Sequence, residues 1–167
     1  DVFGSRVYHA AGYHAPCNIV VYFDPSILEM DPEAEAENAV GEDVPMEEHH
    51  VQRVLDAGVR GEDGLHRASA SLFVDGRPIG PWRYQDTRRD DPNDVIPHQD
   101  RRELRGGRLL AAWLNHFDAR EQNTLATFVE DDEGRQYVRH YYIDFGDCLG
   151  SRWPQDGLSR RFGKSYY

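Results

Sequence analysis

His116-Phe117-Asp118-Ala119-Arg120-Glu121-Gln122-Asn123, followed downstream by Asp144-Phe145-Gly146, is the stretch on which the reading of this chain turns. The first run has the form H-x-D-x-x-x-x-N and the second is D-F-G. Phosphoryl transfer is mostly positioning plus neutralisation of charge, so few residues carry it. In this layout one Asp orients a hydroxyl and takes its proton. The Asn five residues later and the Asp of D-F-G hold Mg²⁺ on the phosphates of ATP. Either motif alone arises readily by chance: His116 or Asp118 by itself reads as a loop cap, and D-F-G at a strand end is ordinary. Their joint occurrence, in this order, makes the pattern specific.

Working outward, residues 98–115 read as the strongest helix, with Leu104, Leu109, Leu110, Ala112, Trp113 and Leu114 forming a broad apolar stripe. Gly106-Gly107 inside it costs about 1 kcal/mol per Gly against Ala, which points to close packing against another element. Leu125–Val129 and Gln136–Ile143 read as two strands joined by the acidic turn Asp131–Gly134, a hairpin ending at Asp144. The hairpin would put Asn123 before it and Asp144 after it, so both can face one metal. Mg²⁺ takes oxygen ligands and keeps waters, so one carboxylate, one amide and the phosphates suffice.

The 167 residues, 39% apolar, are enough for a domain with a real core. A formal charge of −11 argues against nucleic acid or an anionic membrane surface as the main partner, since both call for clustered positive charge. Lys164 is the single lysine among 19 basic residues, and the arginines are scattered among 30 carboxylates. Cys17 and Cys148 lie far apart, so no disulfide framework is expected. No run of apolar residues is long enough for a transmembrane helix. Without an initiator Met or a signal peptide, and opening on Asp1 in what reads as mid-helix, the chain is expected to lack upstream residues; the compartment stays open.

Residues 1–11 carry Val2, Phe3, Val7, Tyr8 and Ala11 at near-helical spacing and stop at Gly12. Asn18–Phe23 reads as a strand closed by Asp24-Pro25. Residues 31–48 hold eight carboxylates in eighteen positions, with Pro32 and Pro45, and read as an exposed insertion. Glu47–Ala57 reads as a short helix ended by Gly58, His66–Val74 as a strand, 76–81 as a turn-rich link and 87–97 as a loop. No internal repeat is visible, and the segment past Gly150 has no assignment.

The segment from Arg101 to Gly150 resembles the core of the protein-kinase-like superfamily, and more narrowly a group of poorly characterised bacterial kinase-like proteins. The residues that carry the likeness are R-R-E-L-R-G (Arg101–Gly106), A-W-x-N-H-x-D (Ala112–Asp118) and R-H-Y-x-x-D-F-G (Arg139–Gly146). P-I-G-P-W (Pro78–Trp82) and D-D-P-N-D (Asp90–Asp94) add to it. The resemblance implies an α+β two-lobe fold with an incomplete N-terminal lobe. Residues 1–82 would be a small-lobe remnant and hinge with the acidic insertion, and 83–167 a large lobe. It implies an ATP/Mg²⁺ site in which Asp118 is the catalytic base and His116 braces its loop. Asn123 and Asp144 would be the metal ligands, with Phe145 and Gly146 completing the nucleotide-site motif. Asp1 would take the acidic role of the small-lobe helix, the strands at 18–23 and 66–74 would belong to the small-lobe sheet, and 75–82 would lie under the adenine.

Two departures stand out. No Gly-rich strand-turn-strand and no Lys precede residue 118, so the chain reads as a catalytically inactive relative unless that half of the nucleotide clamp lies upstream. Asp147 directly after D-F-G resembles the D-F-G-D of small-molecule kinases, where an extra carboxylate aids metal binding, and reads equally well as a turn cap. The expected activity is ATP-dependent phosphotransfer to a hydroxyl acceptor. The alternatives are an inactive pseudokinase scaffold, a nucleotidyl (AMP) transferase using the same residues, and a binding domain unrelated to kinases.

Weaker signals each have a plain reading. Gly157 to Gly163-Lys164-Ser165 imitates a P-loop but has five residues between its glycines where the motif needs four. His9, His14 and Cys17 supply three zinc-type ligands and no fourth at a finger spacing. His49-His50 reads as exposed, and Trp82 and Tyr84 read as packing residues that could line a pocket. Arg101, Arg102, Arg105 and Arg108 recur on one helical face, to pair with carboxylates or to hold an anionic substrate.

Overall fold

The computed structural model describes residues 1–38 and 40–149. In chain order the elements are α1 (Val2–Ala10), β1 (Asn18–Phe23), β2 (Glu35–Glu37), β3 (Asp43–Pro45), α2 (Glu48–Ala57), β4 (Val59–Arg60) and β5 (His66–Ser71). There follow β6 (Arg77–Gly80), α3 (Arg102–Trp113), β7 (Thr124–Glu130) and β8 (Gln136–Tyr142). The fold is α+β, with three small antiparallel sheets ordered β1-β5-β4, β2-β3 and β6-β7-β8. No helix among the described residues is long and apolar enough to cross a membrane. The P-loop-like run near Lys164 lies outside the described residues.

The described residues divide into two compact units, one of Ile19–Ala70 and one of Asp1–Asn18 with residues 71–149. In the first, His66 is the one buried residue among those described, its ring 6.0 Å from that of Phe23. The acidic stretch is exposed as expected, and its centre forms the β2–β3 hairpin. Asn38 closes that hairpin by accepting from the backbone N–H groups of Val40 and Glu42. Helix α2 is held at its start by Glu47 and His50, which cap each other's backbone, and it buries no residue. With so little apolar surface removed from water, this unit's structure is expected to open at low free energy.

The second unit has an aromatic core. Tyr8, Trp82, Leu104, Leu114, Tyr142 and Phe145 form one buried cluster, with Tyr13, Tyr84 and Cys148 packed around it. Tyr8 lies 5.0 Å by ring centroid from both Tyr142 and Phe145, in tilted geometries that suit the ring quadrupoles. The β7–β8 hairpin is regular from Thr124↔Tyr142 to Glu130↔Gln136. Its turn is closed by Asp131, which accepts from the Glu133 and Arg135 N–H groups.

Three expectations need correction. Residues 76–81 are not merely a link, since β6 pairs with β7 from Arg77↔Phe128 to Gly80↔Ala126 around a bulge. Pro78 is tolerated because an edge strand need not donate on both sides. Gly76 makes the entry possible: its φ is +90°, and an added Cβ would lie 2.5 Å from the Phe128 carbonyl oxygen.

Helix α3 starts at Arg102, not at residue 98. His98–Asp100 forms a separate 3-10 turn, and Arg101 is extended. The stripe is also narrower than expected. Leu104, Gly107 and Ala111 are buried, whereas Leu109 and Trp113 are each 74% exposed. The 3.6-residue period carries those two to the opposite face. Close packing at the glycine pair is real: Tyr13 donates to the Glu103 carbonyl at 2.8 Å, and a Cβ on Gly106 would lie 2.6 Å from the Tyr13 oxygen.

Candidate functional site

After α3 the chain turns through Asn115, at φ +49°, and enters the core at His116, which is fully buried. The His116 Nε2 lies 3.1 Å from the carbonyl oxygen of Asp144, which can only accept. That nitrogen therefore carries the proton, and Nδ1 accepts from the Tyr8 hydroxyl at 3.0 Å. Burial holds the His116 pKa below the usual histidine value, although the Asp144 carbonyl and the carboxylates of Asp147, Asp144 and Asp118 pull the other way. A neutral ring with one donor and one acceptor fits its surroundings.

Asp118 follows at the surface end of this loop. Its carboxylate pairs with Arg120 and accepts from Asn123 Nδ2 at 2.9 Å. The same amide nitrogen donates to the Asp118 carbonyl at 2.8 Å. Asn123 thus locks the Asp118 backbone and side chain together through its amide nitrogen. The loop is also fastened to the segment after β6. Tyr84 N–H donates to Glu121 at 2.7 Å, Tyr84 hydroxyl to the Ala119 carbonyl at 3.1 Å, and Trp82 N–H to Thr124 Oγ1 at 2.8 Å.

The hairpin then returns the chain to its start. Ile143 N–H donates to the Asn123 carbonyl at 3.1 Å, so Asp144 follows one residue past the backbone partner of Asn123. Asp144 is exposed and has φ +55°, a left-handed conformation uncommon outside glycine. The peptide that follows it explains how that conformation is held. The Asp144 carbonyl is bound by His116, and the Phe145 N–H donates to the Asp1 carboxylate at 3.0 Å. One peptide group is gripped at both ends, and the Phe145 ring is fully buried against Tyr8 and His116.

The residues singled out in the sequence therefore converge: His116, Asp118, Asn123, Asp144 and Phe145 belong to one connected set. Gly146 follows, with its N–H 3.5 Å from Asp144 Oδ1. Asp1 joins the set through the Phe145 N–H. No family model matches this chain, and neither does any curated protein or solved structure.

Arg120 was missed in the sequence, because its position two residues after Asp118 has no helical or strand period to flag it. Among the described residues no group of three or more His, Cys, Asp or Glu side chains is arranged as a ready metal cage, and His9, His14 and Cys17 do not form one. A hard cation with oxygen ligands suits what is present: an exposed carboxylate on Asp144 and the amide oxygen of Asn123.

A second polar assembly lies beside Trp82. His98 is 4% exposed, with Nδ1 facing the Arg83 carbonyl at 2.5 Å and Nε2 facing Asp94 Oδ2 at 2.7 Å. Both partners accept, so the ring serves both only when doubly protonated. Asp94 also pairs with Arg101 and accepts from the Arg88 N–H at 2.6 Å. Burial pushes the Asp94 pKa up, but the Arg88 N–H, His98 and Arg101 together hold it below the usual carboxylate range. Of the helical arginines, Arg101 makes a carboxylate pair, and Arg105 donates to the Asp100 carbonyl at 2.6 Å.

Proposed function

We propose that this chain is a protein-kinase-like, ATP- and Mg²⁺-dependent phosphotransferase acting on a hydroxyl acceptor. The observation that carries the reading is the double grip on the Asp144–Phe145 peptide together with the Asn123–Asp118 lock. These bonds hold in fixed relation the three groups that the chemistry needs, and fixed relation is most of what phosphoryl transfer asks of a protein. In this reading residues 1–82 carry a small-lobe remnant and hinge, and residues 83–167 the large lobe.

Asp118 orients the acceptor hydroxyl and takes its proton as that oxygen forms a bond to the γ-phosphorus and ADP departs with the bonding pair. Asn123 and Asp144 would hold Mg²⁺, which supplies charge neutralisation on the phosphate oxygens. Arg120 keeps the Asp118 carboxylate in place and adds a positive charge near the transferring group. His116 touches no substrate; it positions Asp144 through the backbone. The same features serve an inactive nucleotide-binding relative, the second reading.

Thermal unfolding with and without Mg-ATP, beside Asp144→Ala, tests the site. A ligand at a hundred times its Kd adds about 2.7 kcal/mol. The full chain should gain several degrees, and the variant should lose that gain. No shift would remove the nucleotide reading. Where the shift appears, release of ADP marks a phosphotransferase, release of pyrophosphate a nucleotidyl transferase, and neither an inactive relative.

A further inference from the structure

A cavity of about 250 Å³ opens beside β7 and β8, and it shares no lining residue with the Asp118, Asn123 and Asp144 set. Its apolar part comes from Ile79, Pro81, Trp82 and Ala126. Its polar part carries three arginines, Arg83, Arg88 and Arg89, against one carboxylate, Asp90, with His98 and His140 beside them. In a chain of net charge −11, such a concentration of positive charge in one concavity is unexpected.

The arginines are not equivalent. Arg88 is spent on Asp90 by two bonds, Nε to Oδ1 at 2.8 Å and Nη2 to Oδ2 at 2.9 Å. Arg83 and Arg89 have no carboxylate partner among the described residues, so two guanidinium groups stand available. Asp94 is already taken up by His98 and Arg101. His140, paired across the hairpin with Ala126, completes the wall and lies against Trp82 at 4.8 Å between ring centroids. Burial holds its pKa down to about 4, with His98 and Arg101 pushing the same way, so it meets a ligand as a neutral donor and acceptor.

Independently, Trp82 is 6% exposed and its indole Nε1 is a buried donor with no acceptor among the described residues. A buried N–H that lacks a protein partner is rare in a finished core and is met by an ordered water or by a ligand acceptor. The aromatic surface, an orphan donor and two free guanidiniums call for a ligand with a small flat body and a doubly charged head. Guanidinium forks match phosphate oxygens in geometry and charge. The cavity is slightly below the volumes typical of drug-sized ligands, which limits the body to about one ring.

We propose that this cavity binds a small organic phosphate monoester, with the phosphate on Arg83 and Arg89 and the body against Ile79, Pro81 and Trp82. The cavity uses none of Asp118, Arg120, Asn123 and Asp144, although Ile79, Pro81 and Trp82 belong to the hinge segment of the proposed nucleotide site, so binding that survives Asp144→Ala separates the two readings.

Isothermal titration of the full chain with phenyl phosphate tests it, with inorganic phosphate, phenylacetate and benzyl alcohol as comparison probes. Phenyl phosphate should bind at least tenfold more tightly than each of the other three. The double variant Arg83→Ala/Arg89→Ala should weaken it tenfold or more with an unchanged unfolding midpoint, since both arginines are exposed and unpaired. Trp82→Phe should also weaken it and abolish the accompanying change in tryptophan fluorescence. Asp144→Ala should leave it unaltered. No binding, or binding indifferent to the arginine pair, overturns the site. Equal binding of inorganic phosphate overturns the organic body, and equal binding of phenylacetate overturns the phosphate.

Discussion

Asp1 and His116 hold opposite ends of the same peptide bond: the carboxylate of Asp1 accepts from the Phe145 N–H, and the imidazole of His116 donates to the Asp144 carbonyl. The left-handed Asp144 is kept in place by this pair and by the burial of Phe145 behind it. Asp1→Ala should cost about 1 kcal/mol, the ordinary worth of one hydrogen bond at a partly exposed position. Hydrogen exchange at the Phe145 amide should accelerate about tenfold, an effect that general destabilisation would spread over the whole unit instead. Unchanged exchange at Phe145 would mean that the grip is not maintained.

Tyr8→Phe keeps the ring in the core but removes the proton that His116 Nδ1 accepts. Both residues are fully buried, so the nitrogen is left unpaired at a cost of about 1–3 kcal/mol. Denaturant unfolding should show a lower midpoint with an unchanged slope. A loss of less than a few tenths would indicate that water replaces the hydroxyl.

Gly4 lies where α1 meets the D-F-G segment. A Cβ there would stand 2.7 Å from both Cys148 Sγ and Phe145 Cβ, and the Phe145 Cβ is fixed to the backbone and cannot swing away. Gly4→Ala raises helix propensity but forces α1 away from Phe145, and overpacking of this kind costs about 1–3 kcal/mol. The variant should unfold earlier in denaturant. A gain in stability would show that the contact relaxes freely.

Asp94 pairs with Arg101 and faces His98 Nε2 while its side chain is 9% exposed. Removing one partner of a buried pair costs about 3–5 kcal/mol, and the lower end applies because the Arg101 side chain is 35% exposed. Asp94→Ala should therefore lose about 3 kcal/mol, read from chemical denaturation. A loss below 1 kcal/mol would show that solvent already screens the pair.

The histidines set an acid limit. Burial lowers the pKa of His140 to about 4, and lowers those of His116 and His14 in the same direction. Between about pH 6.5, the ordinary value, and about 4, the unfolded chain binds more protons than the folded one. Stability from these groups is therefore complete above that window and declines as pH falls through it. Unfolding midpoints between pH 7 and pH 4.5 should fall for the parent chain and fall less steeply for His140→Phe. An identical slope in the variant would mean that His140 does not carry its share.

The spans of α1, α2, β1 and the β7–β8 hairpin were legible because each depends on short-range rules: period, β-branching, a stopping glycine, an acidic turn. The set His116, Asp118, Asn123 and Asp144 was legible as a list, because its spacing is itself the signal. Its bonding was not. Nothing in the order of residues says that Tyr8 gives its proton to His116, or that Arg120 pairs with Asp118. The loss of Leu109 and Trp113 from the core was equally hidden, since a helix shows which residues share a face but not how wide a face its neighbours will cover.

The sequence alone determined which residue types were available and in what local order, and so gave an α+β chain with one chemically suggestive cluster. Tertiary structure decided the rest. Trp82, Arg83 and Arg89 lie in the segment between β6 and α3 and His140 lies in β8, and only the packing of that segment against the β7–β8 hairpin makes them walls of one cavity. The physical reason is range. Helix caps, turns and strand periodicity act over a few residues, whereas a buried donor, a shared carboxylate or a gripped peptide exists only after distant segments have excluded water together.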